Sequence, residues 1–200
     1  MNKNLEEWYR KVDWNDVEAS LTKYNIENML NKYKDALPEN ELNFLIHSNL
    51  IENVREEGLK DSIKAWKYAK TIDILTRESL LEIHRLLLQN LNPDIAGKFR
   101  ECNVRVGNRI CPDWEIIDYE IDGIIDSFNW SPCYCGADPD SLESWVKNTH
   151  IDFEKLHPHV DCNGRTGRIL MNWQRLKLGL DIITIKYEDR WDYYKWFEGK

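Results

Sequence analysis

The 200-residue sequence lacks several features that would assign it to a familiar class of protein. It has no apolar run long enough to cross a membrane, and its first four residues do not begin a signal peptide. We therefore expect no membrane association and a cytoplasmic location, with delivery into a host cell left open. Internal repeats and low-complexity stretches are also missing, and the length suggests one domain with a small appendage at most.

Basic charge and paired cysteines are scarce as well. Lys and Arg together number 27 against 35 Asp and Glu, and this net charge of -8 argues against a general affinity for nucleic acid. The five cysteines are an odd number and include no Cys-x-x-Cys pair, although Cys133 and Cys135 lie two apart. Reduced thiols are therefore expected in place of a disulfide framework or a cysteine zinc site.

Hydrophobic residues make up 42% of the chain. The spacing of the apolar residues among them predicts a mainly helical protein. Val104, Val106 and Ile110 alternate around Gly107-Asn108, which predicts one short β-hairpin. Helices are predicted over residues 15–34, 39–53, 60–70, 77–91, 118–130, 141–156, 165–178 and 189–197.

The most informative segment runs from Leu156 to Arg168. His157, at the end of a predicted helix, has the side chain best suited to take a proton from an attacking hydroxyl near neutral pH. Asp161 follows four residues later and supplies the kind of oxygen ligand that Mg²⁺ prefers between phosphates. A histidine at a helix end is most often a cap or a surface group, so the inference depends on what surrounds it.

Phosphate-binding groups follow directly after this pair. Asn163 and Gly164 precede the next predicted helix, where backbone N–H groups and the helix dipole favour an anion. Arg165 and Arg168 are three apart and therefore share a helix face, and their guanidinium forks suit phosphate oxygens. Alone, such an arginine pair would usually form surface ion pairs; the joint pattern indicates a nucleotide phosphate site.

This joint pattern resembles the signature of the Fic family, His-x-Phe-x-(Asp/Glu)-Gly-Asn-Gly-Arg-x-x-Arg. The resemblance implies a mainly helical Fic fold and the transfer of AMP from ATP to a Ser, Thr or Tyr hydroxyl of a target protein. It implies that His157 is the catalytic base and that Asp161 binds Mg²⁺. The residues that would hold the nucleotide phosphates are Asn163, Gly164, Arg165, Thr166, Gly167 and Arg168.

The resemblance extends to residues 97–112, which are similar to the flap that lies over the nucleotide in Fic proteins. It implies that the target's extended segment pairs with the flap edge. Near the C-terminus, Tyr193 and Tyr194 are similar to aromatic residues that contact the nucleoside, with core packing as the alternative. The flap residues that would border the nucleotide are Val106, Gly107, Asn108 and Arg109.

An upstream segment, Ser48 to Asn53, matches the family's inhibitory pattern, (Ser/Thr)-x-x-x-Glu-(Gly/Asn). The resemblance implies that Glu52 pairs with Arg168 and so occupies the arginine needed for the γ-phosphate. An exposed glutamate on a solvated helix is the alternative. The expected domain organisation is an N-terminal helical segment over 1–40 and a Fic domain over 41–200, with the inhibitory helix at about 41–53.

Two positions depart from the signature, where His159 replaces the phenylalanine and Cys162 replaces the first glycine. Since that phenylalanine is a buried anchor in the family, we expect His159 to loosen the loop or to be half-exposed. If the glycine position needs a positive φ, Cys162 would be strained by about 1–3 kcal/mol.

Several alternatives stay open at this point. The same scaffold could remove AMP, with Glu52 positioning water, or transfer phosphate or UMP, or bind a nucleotide without turnover. His157-x-His159-x-Asp161 also begins a zinc hydrolase motif, but the other histidines, His47, His84 and His150, all lie upstream. The sequence does not name the target protein, and self-modification and a homodimer remain open.

Overall fold

The computed structural model describes residues 14–54, 56–130 and 138–198 and confirms a mainly helical fold with one small hairpin. The predicted N-terminal segment over 1–40 is therefore described only from residue 14, and Cys133 and Cys135 lie outside the described residues. The helices are α1 (Trp14–Tyr33), α2 (Glu39–Ile51), α3 (Glu56–Ala69), α4 (Arg77–Leu88), α5 (Ile117–Asn129), α6 (Pro139–Leu156), α7 (Asn163–Lys177) and α8 (Arg190–Tyr194), and the strands are β1 (Arg105–Val106) and β2 (Arg109–Ile110).

Local side-chain hydrogen bonds explain where the two helices of the signature begin. Asp138 accepts a hydrogen bond from the Ser141 N–H and Pro139 occupies the first turn, so α6 begins at Pro139, two residues earlier than predicted. Helix α7 also begins two residues earlier, because the Asn163 amide bonds both the N–H and the C=O of His159 at 2.9 Å and closes the loop. The C-terminal helix α8 has only five residues, fewer than predicted.

Helix α7 is the centre of the fold and packs against α2, α3, α4, α5 and α6. Twelve of its 15 residues are buried, including polar and charged ones. A helix buried on all sides must satisfy its polar side chains from neighbouring elements. The arginines of the signature are therefore held in the interior of the protein and cannot be solvated surface groups.

The flap is a minimal hairpin that leaves the helical body. Strand β1 pairs antiparallel with β2 in the register Arg105↔Ile110 and Val106↔Arg109. The turn uses Gly107 at φ 56°, a conformation that glycine adopts without strain. Within the part of the chain that the structure describes, no helix is both long and apolar enough to cross a membrane.

Candidate functional site

The loop between α6 and α7 is bounded by two residues in the left-handed conformation, His157 at φ 53° and Cys162 at φ 65°. The only other described non-glycine residue with a positive φ is Asn53 at φ 56°, directly after the predicted inhibitory helix α2. Such residues cost of the order of 1–3 kcal/mol and cluster at functional sites. We predicted backbone strain at Cys162 if this position has a positive φ, and its φ is positive.

His157 is mostly buried and held by neighbouring main-chain groups. Its Nδ1 lies 3.4 Å from the Glu154 carbonyl, which favours the tautomer that donates from Nδ1 and leaves Nε2 free to accept a proton. Arg100 fixes the loop by donating from Nε to the His157 carbonyl at 2.8 Å. Burial lowers the pKa of His157 to about 4, well below the near-neutral value that we expected, so the ring is neutral at pH 7.

Arg168 is fully buried, and four of its five N–H donors are occupied. Its Nε donates to Ser48 Oγ at 2.9 Å, and its Nη2 donates to the Ser48 carbonyl at 3.0 Å. The same Nη2 donates to Glu52 Oε1 at 2.7 Å, so the structure brings together the pair that the inhibitory pattern predicts. Its Nη1 donates to the Tyr193 hydroxyl at 3.2 Å. The guanidinium therefore has no donor pair free for a phosphate in this state.

The Glu52 carboxylate lies against the first turn of α7. A methyl group added at Gly164 would collide with Glu52 Oε1, so only a residue without a side chain admits the carboxylate there. This position combines the positive end of the helix dipole with the charge of Arg168. Glu52 therefore occupies the place where a helix N-terminus would bind a phosphate oxygen.

Arg165 differs from Arg168 although both are buried on the same helix. Its Nε and Nη1 have no hydrogen-bond partner among the described residues. Leaving a buried charged donor unpaired is costly, so these two atoms of Arg165 are an exception to the usual pairing of buried polar groups. Of the two predicted phosphate-binding arginines, one is thus held by side chains of the protein itself, and the other has two buried donors without a partner among the described residues.

His159 is not half-exposed, and that expectation was wrong. Its ring is fully buried and stacks on His84 with centroids 3.7 Å apart and planes 6° apart. Its Nδ1 donates to the Lys98 carbonyl at 2.8 Å, and burial keeps its pKa well below the usual value. The neutral imidazole therefore fills an aromatic position and ties the loop to the root of the flap.

His84 is a loop-fixing residue that the sequence analysis did not single out. The Gly97 N–H donates to its Nδ1 at 3.0 Å, so Nε2 carries the proton and donates to the Asp161 carbonyl at 3.1 Å. No local signal marks this role, because His84 and Asp161 are 77 residues apart in the chain.

The Asp161 side chain faces the loop backbone and accepts the Cys162 N–H at 2.6 Å through Oδ1. Within the described ranges, no three His, Cys, Asp or Glu side chains are grouped closely enough to hold a metal ion. A magnesium ion at Asp161 would therefore take most of its ligands from a nucleotide and water, as Mg²⁺ often does.

Three residues predicted to contact the nucleotide have other partners. Arg109 donates to the carbonyls of Glu154 and Lys155 at 2.9 and 2.8 Å, and so caps the C-terminus of α6. Tyr193 is buried beside Arg168, and the Tyr194 hydroxyl donates to the Ile51 carbonyl at 3.4 Å. The remaining predicted flap contacts, Val106, Gly107 and Asn108, are exposed at the flap tip.

Glu154 is a second residue that the sequence analysis missed. Its carboxyl is buried, its Oε1 has no hydrogen-bond partner among the described residues, and a methyl group added at Gly167 would collide with that oxygen. Burial raises the pKa of Glu154 to about 8, so the group carries its proton at neutral pH. Glu154 therefore does not compete with Glu52 for Arg168 at that pH.

Comparison with known proteins gives a consistent result. Residues 74–174 match the sequence model of the Fic/DOC family. The chain is 26% identical over 189 residues to the protein adenylyltransferase Fic of Nematostella vectensis, covering 92% of this chain and 40% of that protein. It is 32% identical over 132 residues to the protein of the same name from Culex quinquefasciatus, covering 63% and 24%. The chain thus spans less than half the length of these relatives.

Solved structures show the same fold. A Fic domain containing signaling protein from Bacteroides thetaiotaomicron superposes with a TM-score of 0.65 at 19% identity, over 86% of this chain and 79% of that one. Fic-1 from Caenorhabditis elegans, residues 134–508, gives 0.64 at 18% identity, over 96% and 68%.

Proposed function

The chain belongs to the Fic/DOC family, and we propose that it transfers AMP from ATP to a Ser, Thr or Tyr hydroxyl of a target protein. The names of the relatives, protein adenylyltransferases, support this activity. The observation that carries the proposal is the seat of the Glu52 carboxylate between Gly164 and Arg168. A site that accepts the protein's own carboxylate at a helix N-terminus beside a buried arginine is suited to phosphate oxygens.

In the proposed reaction, His157 Nε2 takes the proton of the target hydroxyl as its oxygen attacks the α-phosphorus of ATP. The bond from the α-phosphorus to the bridging oxygen breaks, and pyrophosphate leaves with the electron pair. The first turn of α7 and the positive charge of Arg165 within it favour the charge on the phosphates. Asp161 would hold Mg²⁺, which supplies charge neutralisation for the phosphates when bound.

The pairing of Glu52 with Arg168 would hold the enzyme inactive. Since Arg168 donates to Ser48 and Glu52, ATP would lack the contact that places its γ-phosphate and would bind unproductively. A bias of about 4 kcal/mol towards this state would leave roughly one molecule in a thousand competent. The exposed edge of the flap would hold the target segment by strand pairing.

The test is incubation of the Glu52→Gly protein with ATP labelled at either the α- or the γ-phosphate, followed by mass spectrometry of the modified protein. We expect the α-label on a hydroxyl residue of the protein itself or of an added target. The γ-label on protein would mean phosphorylation, and loss of AMP from a pre-modified protein without transfer would mean de-AMPylation. Nucleotide binding with neither label transferred would leave a binding module and contradict the proposal.

A further inference from the structure

A groove of about 630 Å³ lies beside the loop between α6 and α7, which we call the catalytic loop, and its other lining residues come from the chain on both sides of the flap hairpin. Its apolar walls come from Ile95, Phe99, Trp114, Ile117 and Val160. Trp114 and Val160 remain 38% and 44% exposed, which is unusual for large apolar side chains that converge on one groove. The polar residues that line it are Asp94, Lys98, Arg100, Glu101, Glu115 and Asp118.

The charge of this groove is one-sided once the internal pairs are subtracted. Arg100 is buried and its guanidinium donates to four main-chain carbonyls, so it stabilises the wall of the groove and does not present its charge at the opening. Asp118 is paired with Arg77 outside the groove. The exposed carboxylates of Asp94, Glu101 and Glu115 have no ion pair among the described residues, and Lys98 is the one exposed cation among the lining residues.

The sequence extends this asymmetry beyond the groove. No Lys or Arg occurs from residue 110 to residue 146, whereas nine Asp or Glu do. Three of these carboxylates are paired, Asp118 and Asp122 with Arg77 and Glu143 with Arg175, and the other six have no ion pair among the described residues. The same stretch also exposes large apolar side chains, namely Ile110, Trp114, Ile116, Tyr119 and Trp130. A surface that combines exposed aromatic and aliphatic groups with uncompensated negative charge is complementary to a basic segment that also carries apolar side chains.

The groove is close enough to His157 to receive the chain that flanks a modified hydroxyl. Val160 lies in the groove wall and follows His157 by three residues, so their Cα atoms are within about 11 Å. The Arg100 N–H donates to the Pro158 carbonyl at 2.9 Å, which joins the groove wall directly to the catalytic loop. An extended target residue bound beside Val160 would therefore lie at most about three or four positions from the hydroxyl at His157.

We propose that this groove binds a basic segment of the target protein, in which a Lys or Arg and an apolar side chain lie within about four residues of the modified hydroxyl. The proposal rests on the adenylyltransferase function and adds the chemistry of the target to it. The flap would set the register of the segment through its backbone, and the groove would select its side chains.

The test uses the full chain and two fluorescent twelve-residue peptides that each carry one threonine. One has Lys and Leu three and four residues from the threonine, and the other has Glu in place of Lys. We expect the basic peptide alone to bind by fluorescence anisotropy. Charge reversal in the groove by Glu101→Lys with Glu115→Lys should weaken its binding on the order of tenfold and lessen the dependence of Kd on salt.

The matched control is Glu27→Lys with Glu57→Lys, which makes the same change of net charge on exposed positions of α1 and α3. We expect less than a twofold effect from it. Trp114→Ala, checked for folding by circular dichroism, should weaken binding without changing the salt dependence. Equal loss in both charge-reversal variants, or equal binding of both peptides, would overturn the proposal.

A second outcome that overturns it is a dimer, seen by light scattering, that the groove variants dissociate, because the occupant would then be another copy of this chain. Binding is measured without ATP, so it is independent of whether AMP transfer occurs. In the Glu52→Gly background, the groove variant should raise KM for the basic peptide and leave kcat unchanged. Transfer without the binding preference would refute the groove alone, and the preference without transfer would refute the function alone.

Discussion

Two regions border the catalytic loop: the contact between α2 and α7, and the flap. They differ in whether their hydrogen-bonding groups are satisfied by other groups of the same chain. In the first, which we call the clamp, Ser48, Glu52 and Tyr193 occupy the donors of the buried Arg168. The flap has two strands of two residues each, and its Ile110 is 75% exposed. In the clamp, side chains of the same chain bind the donors of Arg168. The flap, by contrast, has an exposed edge and an exposed face that are available to another molecule. We infer that the clamp controls whether transfer occurs and that the flap controls what is modified.

The largest effect should come from His157, which lies between the two regions. In the Glu52→Gly background, His157→Ala should lower kcat for AMP transfer on the order of 10²–10⁴-fold, because the general base is lost. ATP binding, measured by calorimetry, should survive, since the phosphate donors of α7 are unchanged. Transfer at the parent rate would remove His157 from its role as the base.

The clamp itself is broken most directly at Glu52. Glu52→Gly should raise the rate of self-modification on the order of 10³-fold, since a bias of about 4 kcal/mol is removed. Glu52→Gln is the matched control because it keeps the shape and a hydrogen-bond acceptor but not the charge, and we expect a smaller increase from it. Identical rates in all three proteins, followed by intact mass, would mean that the clamp does not restrain activity.

The sequence predicted the clamp better than its surroundings for a physical reason. Ser48, Glu52 and Arg168 belong to local patterns with fixed spacing, and Asn53 stands at a position whose positive φ asparagine tolerates. The positive φ of Cys162 was likewise foreseeable, because glycine occupies its place in the signature. The two positive φ values depend on short-range backbone geometry. The pairing of Glu52 with Arg168, which are 116 residues apart, was predicted because each residue lies in a motif of the family.

The features that the sequence did not reveal all depend on contacts between distant segments. His84 reaches His159 and Asp161 from another helix, and Arg109 caps α6 from the flap. The assignment of Tyr193 to the nucleoside remains untested, but its hydroxyl is bound to Arg168 in this state. Residue spacing along the chain carries no information about such pairings, so only the folded structure identifies them.

Acid should affect the helical body and the catalytic loop before the turn of the flap. All five histidines lie in the helices or the catalytic loop, and burial lowers the pKa of each one. For His84 and His157, with values of about 4 in the folded state, the unfolded chain binds more protons between pH 6.5 and pH 4. Stability is therefore lost as pH falls through that window, by roughly 2 kcal/mol for each such group at pH 5.

Denaturant unfolding at pH 7 and pH 5 measures this loss, and hydrogen exchange locates it. We expect increased exchange in α4, α6 and the catalytic loop at pH 5, with little change at the flap turn. Glu154 has the opposite sign, since its pKa is raised to about 8, and its contribution is present below pH 4.5 and lost as pH rises through 8. Because Glu154 offsets part of the loss, the comparison is repeated with Glu154→Gln, and equal stability of that variant at pH 7 and pH 5 would show that the histidines are not held neutral.

The flap should depend on Arg109, which attaches it to the helical body. Arg109→Ala removes two hydrogen bonds to the carbonyls of Glu154 and Lys155, and should cost about 1–2 kcal/mol of stability. In the Glu52→Gly background we expect a raised KM for a protein target with a smaller change in kcat. Arg109→Lys is the control, since it keeps the charge near the end of α6 but cannot donate to both carbonyls in the same geometry. A change confined to kcat would assign Arg109 to the chemistry and weaken the division between clamp and flap.

The smallest effect on the free energy of unfolding should come from substitutions of Cys162, because the relief of backbone strain and the loss of buried side-chain contacts have opposite signs. Cys162→Gly removes the strain of the left-handed conformation, but it loses a buried thiol and gains entropy in the unfolded chain, so its net change should be below about 1 kcal/mol. Cys162→Ala loses the thiol and keeps the strain, and should therefore be less stable than Cys162→Gly by about 1 kcal/mol. Urea denaturation of the two variants measures this difference directly. If the alanine variant were the more stable of the two, the loop would hold Cys162 without strain. The departure from the signature at this position would then not destabilise the protein.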